Sequence, residues 1–276
     1  MRRFKEITLS TILFVLLCFY IYPILLMFLD SFKSAQELSA NPAGFPLKAT
    51  FDNYNTLYVF NSGQITRTFL NSVFITLSYL MVMLFISSLA AFAFAKYSFK
   101  GRNFIFSALL LTMMVPQELL IPPLYLIMAN IGWIDTYKIQ IFPEAPKVLA
   151  LFLLRQYMLS ISDSILEAAR MDGAGHLTLF HKIIVPIAAP AIATVAILQF
   201  ISKWNEYLWP YIMINSASKL PIIVILPTLT KDGNLFSIPW ELVLTGCVVA
   251  TLPIMIFFFI FSDTIMKSIS IGAVKE

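Results

Sequence analysis

Charge is what this sequence has least of. Only 12% of its 276 residues are Asp, Glu, Lys or Arg, against roughly 25% in soluble globular chains, which excludes an ordinary soluble domain. Cysteine is nearly missing as well. Cys18 and Cys247 each sit inside an apolar run, so no disulfide framework or metal site follows, and both are expected to be buried as small hydrophobes. The two histidines, His176 and His181, are five residues apart rather than at the i, i+4 spacing that places two imidazoles on one helix face for zinc. No G-x-x-x-x-G-K-[ST] loop is present, so the chain cannot itself supply P-loop ATP chemistry. Constellations of nucleophile, carboxylate and histidine at membrane depth are also lacking, which weakens the reading as an integral-membrane enzyme.

Apolar surface is what the chain has in excess, with 59% hydrophobic residues and a mean hydropathy of +0.83. Most of it therefore belongs in a lipid bilayer, and residues 1–276 read as one polytopic membrane unit. Six apolar segments reach spanning length, at about 7–29, 70–95, 104–128, 139–158, 184–201 and 241–266. The first follows Arg2, Arg3 and Lys5 as a secretory leader would. It is too long for one and lacks a small-x-small cleavage pattern, so it is expected to be a retained span. Pro143, Glu144 and Pro146 interrupt the fourth segment, and Pro186 and Pro190 lie near the start of the fifth.

The placement of the cations sets the orientation. Arg2, Arg3, Lys5, Lys96, Lys100, Arg102, Arg155, Arg170, Lys182, Lys267 and Lys275 fall on one side, and the remaining Lys and Arg are diluted through longer connections. By the positive-inside rule both termini face the cytoplasm, in a multi-pass arrangement. This distribution also explains the net charge of +4 without a nucleic-acid partner. The two long outer connections, 30–69 and 202–240, are too short for domains and are expected to form short interfacial helices and turns.

Two places within or beside the spans carry chemistry. Pro116, Gln117, Glu118, Pro122 and Pro123 break the third span, and freed backbone groups at membrane depth need protein or a water-filled cavity, so this helix is expected to line a pathway. Glu118 is then either a hydroxyl-accepting carboxylate in a channel or an outer-leaflet carboxylate that snorkels or pairs. Trp204, Tyr207, Trp209 and Tyr211 are either a stacking surface for a sugar ring or an interfacial aromatic belt and turn, with Asn205 and Glu206 fixing the turn.

The inner connection 159–185 is the most informative stretch. Ser164 followed by Glu167 has the spacing of a capping box, which predicts a helix start. The helix runs through Ala168, Ala169, Arg170 and Met171 and meets Gly173 and Gly175, which permit the left-handed stop common at helix C-termini. Ile165, Leu166 and Met171 supply apolar contacts that water would waste.

Glu167-Ala168-Ala169, three residues, Gly173, nine residues, Ile183, one residue further and Val185-Pro186 resembles the EAA signature of binding-protein-dependent ABC transporter permeases. Val185 stands where the family has leucine, and Asp163 where it usually has proline. The longer run from Glu167 through Asp172 to Ala174 is similar to the sugar permeases, especially the maltose-type second membrane subunit. Similar segments include Asn71-Ser72, Ile121-Pro122 through Tyr125, Asp135-Thr136-Tyr137, Arg155-Gln156, Trp204-Asn205-Glu206-Tyr207-Leu208-Trp209-Pro210 and the ending Gly272-Ala273-Val274-Lys275.

The resemblance implies an all-α permease of six transmembrane helices with a short cytoplasmic coupling helix, of the type I ABC importer architecture, in a bacterial-type inner membrane. It implies that Glu167, Ala168, Ala169, Arg170, Asp172, Gly173, Ile183 and Pro186 contact an ATPase, with Gly272, Ala273, Val274 and Lys275 as a second contact. Asn71, Gln117, Glu118, Tyr125 and Asn205 are the translocation-pathway candidates. The implied partners are a second related permease, two ATPase subunits that bind ATP and Mg, and an extracytoplasmic solute-binding protein delivering a sugar. The chain itself is expected to hold no cofactor and no metal. A permease for another solute such as a glycerol phosphate, or a secondary transporter, is the competing reading.

Overall fold

A computed structural model describes residues 2–230 and 238–273. Every regular element among the described residues is helical. In chain order these include α1 (Arg2–Asp30), α2 (Ala35–Ala40), α3 (Asp52–Val59), α4 (Gln64–Lys96), α5 (Arg102–Thr112), α6 (Ile121–Asn130), α7 (Tyr137–Ile141) and α8 (Val148–Leu159). After them come α9 (Asp163–Met171), α10 (His176–Thr178), α11 (Val185–Ile187), α12 (Ala189–Trp204), α13 (Leu208–Met213), α14 (Ile222–Ile225) and α15 (Trp240–Ala273).

Three stretches are long and apolar enough to cross a membrane unbroken: Ile7–Asp30, Gln64–Lys96 and Trp240–Phe261. The other spanning-length segments are bent pairs, at 93° between Arg102–Thr112 and Gln117–Asn130, 77° between Val148–Leu159 and Asp163–Met171, and 76° between His176–Ile187 and Ala189–Trp204. Counting each pair as one span gives up to six by length and composition, although Asp163–Met171 belongs to the connection 159–185 rather than to an apolar segment. The sharpest bend has a local cause. Pro116 has φ −58° and ψ 129°, lacks an N–H to continue the ladder and restricts the residue before it, whereas Pro122 and Pro123 fall in the first turn of α6, where a missing N–H costs nothing. The segment expected at 139–158 is divided for the same reason. Pro143 and Pro146 separate the five-residue α7 from the twelve-residue α8, which at about 1.5 Å per residue is too short to span alone.

The chain folds as two compact units, 1–69 with 222–253 and 70–221 with 254–276. In the first, Lys33 is fully buried, paired with Asp30 at 2.7 Å and donating to the Asn41 carbonyl at 2.7 Å. Asn53 donates to the carbonyls of both Ser31 and Lys33, at 2.8 Å each, tying α3 to the end of α1. The apolar run 220–229, too short to span, forms α14 and a 3₁₀ turn at Leu226–Thr230. Cys18 departs from expectation: it is exposed, on a helix whose apolar window buries nothing within this chain. Cys247 is partly buried.

The second unit holds the candidate site. Its core includes Met128, Ile139, Trp209, Met213 and Ile214, and Phe200 stacks on Phe257 at 4.0 Å with planes 6° apart. A π-helical turn at Leu179–Ile184 aims Leu179, Phe180 and Ile184 into the interior and precedes the bend at Ala188.

Candidate functional site

The start of the connection 159–185 folds as a short amphipathic helix followed by a tight turn. Helix α9 starts earlier than the capping-box reading predicts. Ser162, not Ser164, is the N-cap, accepting from the Ser164 N–H at 3.3 Å, and Ser164 sits in the first turn with its hydroxyl 2.7 Å from that of Ser162. Two serines at i and i+2 compete for one cap, and the one whose backbone is extended, at φ −63° and ψ 135°, takes it.

The C-terminal stop follows the predicted form. Gly173 has φ +84°. Its N–H donates to Arg170 O at 3.0 Å and the Ala174 N–H to Ala169 O at 2.9 Å, the paired bonds of a Schellman motif, which requires a left-handed residue at that position. Glu167, Ala168, Arg170, Asp172 and Pro186 are exposed, and Ala169 and Ile183 half-buried. Leu166 is buried, while Ile165, Met171 and Leu177 are 43%, 89% and 77% exposed. The element thus spends one apolar side chain on its own unit and leaves an apolar, charge-flanked face uncovered.

What holds this element was not visible as a motif. Lys96, at the end of α4, pairs with Asp163 at 2.7 Å and also donates to the Ile161 carbonyl. The neighbouring Tyr97 shares a 2.6 Å hydrogen bond with His176 Nδ1 and lies under the Arg170 guanidinium at 5.7 Å. Asp163, standing where the resembling family has proline, occupies the first helical position, and its hydrogen bond to Lys96 holds its carboxyl below the ordinary Asp range. The charge of Lys96 read only as a topology signal in the sequence; its partner lies 67 residues away.

A cavity of about 350 Å³ opens in the same unit, lined by Gln117, Glu118, Glu144, Lys147, Glu206 and Tyr207 among others. Gln117 and Glu118 arrive on the 3₁₀ turn after Pro116, Glu144 and Lys147 at the proline break before α8, and Glu206 and Tyr207 just beyond α12. Behind the lining, the buried Lys203 ammonium is 2.7 Å from Glu144 and hydrogen-bonded to Glu206, with its nitrogen 5.0 Å from the centroid of the Tyr79 ring. Glu206, beyond the end of the span, has its carboxyl pushed up to about 8 by burial and by the neighbouring Glu144 charge, against the pull of Lys203.

Of the translocation-pathway candidates, Gln117 and Glu118 line this cavity. Asn71, Tyr125 and Asn205 do not. The Asn71 amide is committed to the carbonyls of Ser218 and Leu220, at 2.8 and 3.0 Å, and its oxygen accepts from Tyr137 at 2.9 Å. Asn205 donates to Ile201 O within its own helix end. The aromatic cluster divides: Trp204 and Trp209 are core residues, with Trp209 Nε1 donating to Ile139 O at 3.0 Å, whereas Tyr207 and Tyr211 are exposed and stack at 5.3 Å. Gly272 and Ala273 are described as helix backbone only; Val274 and Lys275 lie outside the described residues.

Beside Asn71, Asp135 clamps the segment after α13. Its carboxylate accepts from the N–H groups of Asn215 and Ser216 at 3.2 and 2.9 Å, from the Ser216 hydroxyl and from Lys219 at 3.0 Å. Burial by itself would raise this carboxyl, but the Ser216 and Lys219 bonds bring it down to about 2. A lowered folded value stabilises above the ordinary 3.8 and the contribution is lost as pH falls towards about 2. Asp135→Asn is therefore expected to cost about 1 to 2 kcal/mol at pH 7, with a difference in unfolding temperature that shrinks as the pH is lowered from 4 towards 2. Asn tolerates the local φ of +58°, so the comparison isolates the charge.

Residues 83–271 match a family model described as binding-protein-dependent transport system inner membrane component. The chain is 35% identical over 273 residues to the arabinooligosaccharides transport system permease protein AraQ of Halalkalibacterium halodurans, covering 97% of this chain and 96% of that one. The Bacillus subtilis protein of the same name is 34% identical, covering 98% of this chain and 96% of its own length. Among solved structures, a bacterial ABC transporter involved in the import of the acidic polysaccharide alginate superposes with a TM-score of 0.85 at 25% identity, covering 95% of this chain and 96% of that one.

Proposed function

The chain belongs to the family of binding-protein-dependent transport system inner membrane components, and from that premise we propose how it works as the permease subunit of an ATP-driven importer of a sugar or oligosaccharide. It is a transport subunit, not an enzyme. The α9 segment is the coupling helix. It sits in a cleft of a separate ATPase subunit, which binds ATP and Mg, and transmits closure of an ATPase pair to the spans. Both termini face the cytoplasm with that element. A second, related permease completes the pathway, and an extracytoplasmic solute-binding protein delivers the sugar from the opposite side.

The observation that carries this reading is the uncovered face of α9 and its turn. Met171 and Leu177 stand 89% and 77% exposed beside Glu167 and Arg170, on an element anchored to the end of α4 by Lys96 and Tyr97. An anchored element with an unburied apolar face is suited to pass motion from a docked partner to a span. The bends at Pro116 and beside Pro186 and Pro190 supply the hinges of alternating access, because proline-interrupted helices already lack the hydrogen bonds that rocking would have to break.

Purification of the tagged chain in mild detergent tests it, with mass spectrometry of what accompanies it. An ATPase and a second permease are expected with the wild type, and loss of the ATPase alone with Glu167→Lys, since that residue is exposed and makes no structural bond among the described residues. Recovery of the wild-type chain alone and stable would sink the proposal and bring a self-sufficient carrier forward.

A further inference from the structure

The lining of the cavity carries information about solute charge that the fold does not. Its volume of about 350 Å³ lies within the roughly 300 to 1,000 Å³ of small-molecule sites. Glu118 and Glu144 face it as carboxylates, with Glu206 held protonated below about pH 8, against a single lining lysine, Lys147. The other nearby ammonium, Lys203, is buried behind the lining and already donates to both Glu144 and Glu206. Lys147 is directed at Gln117 Oε1, at 3.4 Å. No arginine is in the lining, and the planar fork that grips phosphate or carboxylate bidentately is therefore missing.

The same lining suits a hydroxylated, uncharged solute. Glu118 is exposed and its side chain makes no hydrogen bond or ion pair among the described residues, and a carboxylate offers about four acceptor positions to O–H donors. Gln117 adds an amide beside it on the same 3₁₀ turn. Across the cavity Tyr207 presents an exposed ring, able to cover the C–H face of a sugar.

We propose that this cavity is a solute-contact site on this subunit for a neutral saccharide, with Glu118 and Gln117 accepting and donating to its hydroxyls and Tyr207 covering its ring, and that it disfavours phosphorylated and uronate solutes. The proposal rests on the sugar-importer reading above and goes beyond it in assigning the contact residues and the charge class.

The test separates the two. The detergent-solubilised transporter complex, without its binding protein, is subjected to equilibrium dialysis with radiolabelled arabinotriose, maltotriose, trehalose, tri-galacturonate and glycerol 3-phosphate. Uptake into proteoliposomes is measured in parallel with the binding protein present. At least one neutral probe is expected to bind and neither anion over the same range. Glu118→Gln is expected to weaken the neutral probe roughly tenfold, the size of a lost charge-assisted hydrogen bond, and Glu118→Lys to weaken it further while admitting tri-galacturonate. Anions binding as tightly as the neutral probes would overturn the charge assignment. Neutral affinity unchanged in Glu118→Gln, or no neutral binding by a complex that still imports sugar, would overturn the contact site and leave the importer reading standing. Should Glu118→Lys fail to assemble with the ATPase, the isosteric Gln variant decides. A complex that takes up none of the probes by any assay counts against the importer reading itself, and this inference falls with it.

Discussion

Gly173→Pro is expected to lower binding-protein-driven uptake at least about tenfold while the chain still inserts and accumulates in the membrane. Gly173 holds φ +84°, and proline is locked near −65°, so the left-handed stop cannot form. Both bonds of the motif, Gly173 N–H to Arg170 O and Ala174 N–H to Ala169 O, are lost together, and the chain leaves α9 in a different direction. An added Cβ alone would meet no described atom beyond its chain neighbours within 4 Å, so the backbone angle is what the position demands. A misdirected coupling element costs the free energy of docking, and about 1.4 kcal/mol already gives a tenfold loss. Gly173→Asn, which tolerates the left-handed region, is expected to keep most of the uptake. Equal loss in both variants would mean that the glycine matters for something other than its backbone angle. Uptake and binding-protein-stimulated ATP hydrolysis in proteoliposomes are the readouts.

The largest stability effect is expected at Lys203. Replacement by methionine leaves Glu144 and Glu206 facing each other without the ammonium between them, and breaking a buried ion pair from one side costs about 3 to 5 kcal/mol. Loss of folded yield and a lower unfolding temperature in detergent would record it. Removing the carboxylates as well, in the triple variant with Glu144→Gln and Glu206→Gln, is expected to restore most of the loss, since the penalty belongs to the unpaired Glu144 charge rather than to the missing attraction. The pH dependence has a definite sign. A carboxyl raised from 4.5 to about 8 contributes stability that is complete below 4.5 and declines as pH rises towards about 8. Glu206→Gln, which cannot ionise, is expected to flatten the unfolding temperature over that window. A wild-type protein more stable at pH 8 than at pH 5, with the slope unchanged in Glu206→Gln, would contradict the buried arrangement.

Parts of the site were legible because their cause is local. The stop at Gly173 needs only a residue that tolerates positive φ within one turn of a helix, and the break at Pro116 only a ring that removes a donor. The helix start was legible to within two residues, since Ser162 and Ser164 are both capable caps and the choice depends on the path of the chain out of α8. The break that divides the fourth apolar segment into α7 and α8 follows from Pro143 and Pro146, whose presence was plain though the size of the break was not. Asn71 shows the opposite case. A polar residue at the start of an apolar span suggests a pathway, yet its amide serves carbonyls 147 and 149 residues away, and no periodicity encodes that.

By itself the sequence determined the class of protein and the local form of α9 and its turn. Hydropathy run length, cation placement and helix capping are properties of adjacent residues, and they act wherever the chain happens to be. Only the tertiary structure decided that Lys203 is buried between Glu144 and Glu206, that Lys96 holds the coupling helix, and that Glu118 faces a cavity while Asn71 and Asn205 do not. A buried charge is tolerated only where its partners meet it, and the partners here lie 59 and 67 residues away for Lys203 and Lys96, brought within 2.7 Å by helix bends whose directions no single segment specifies.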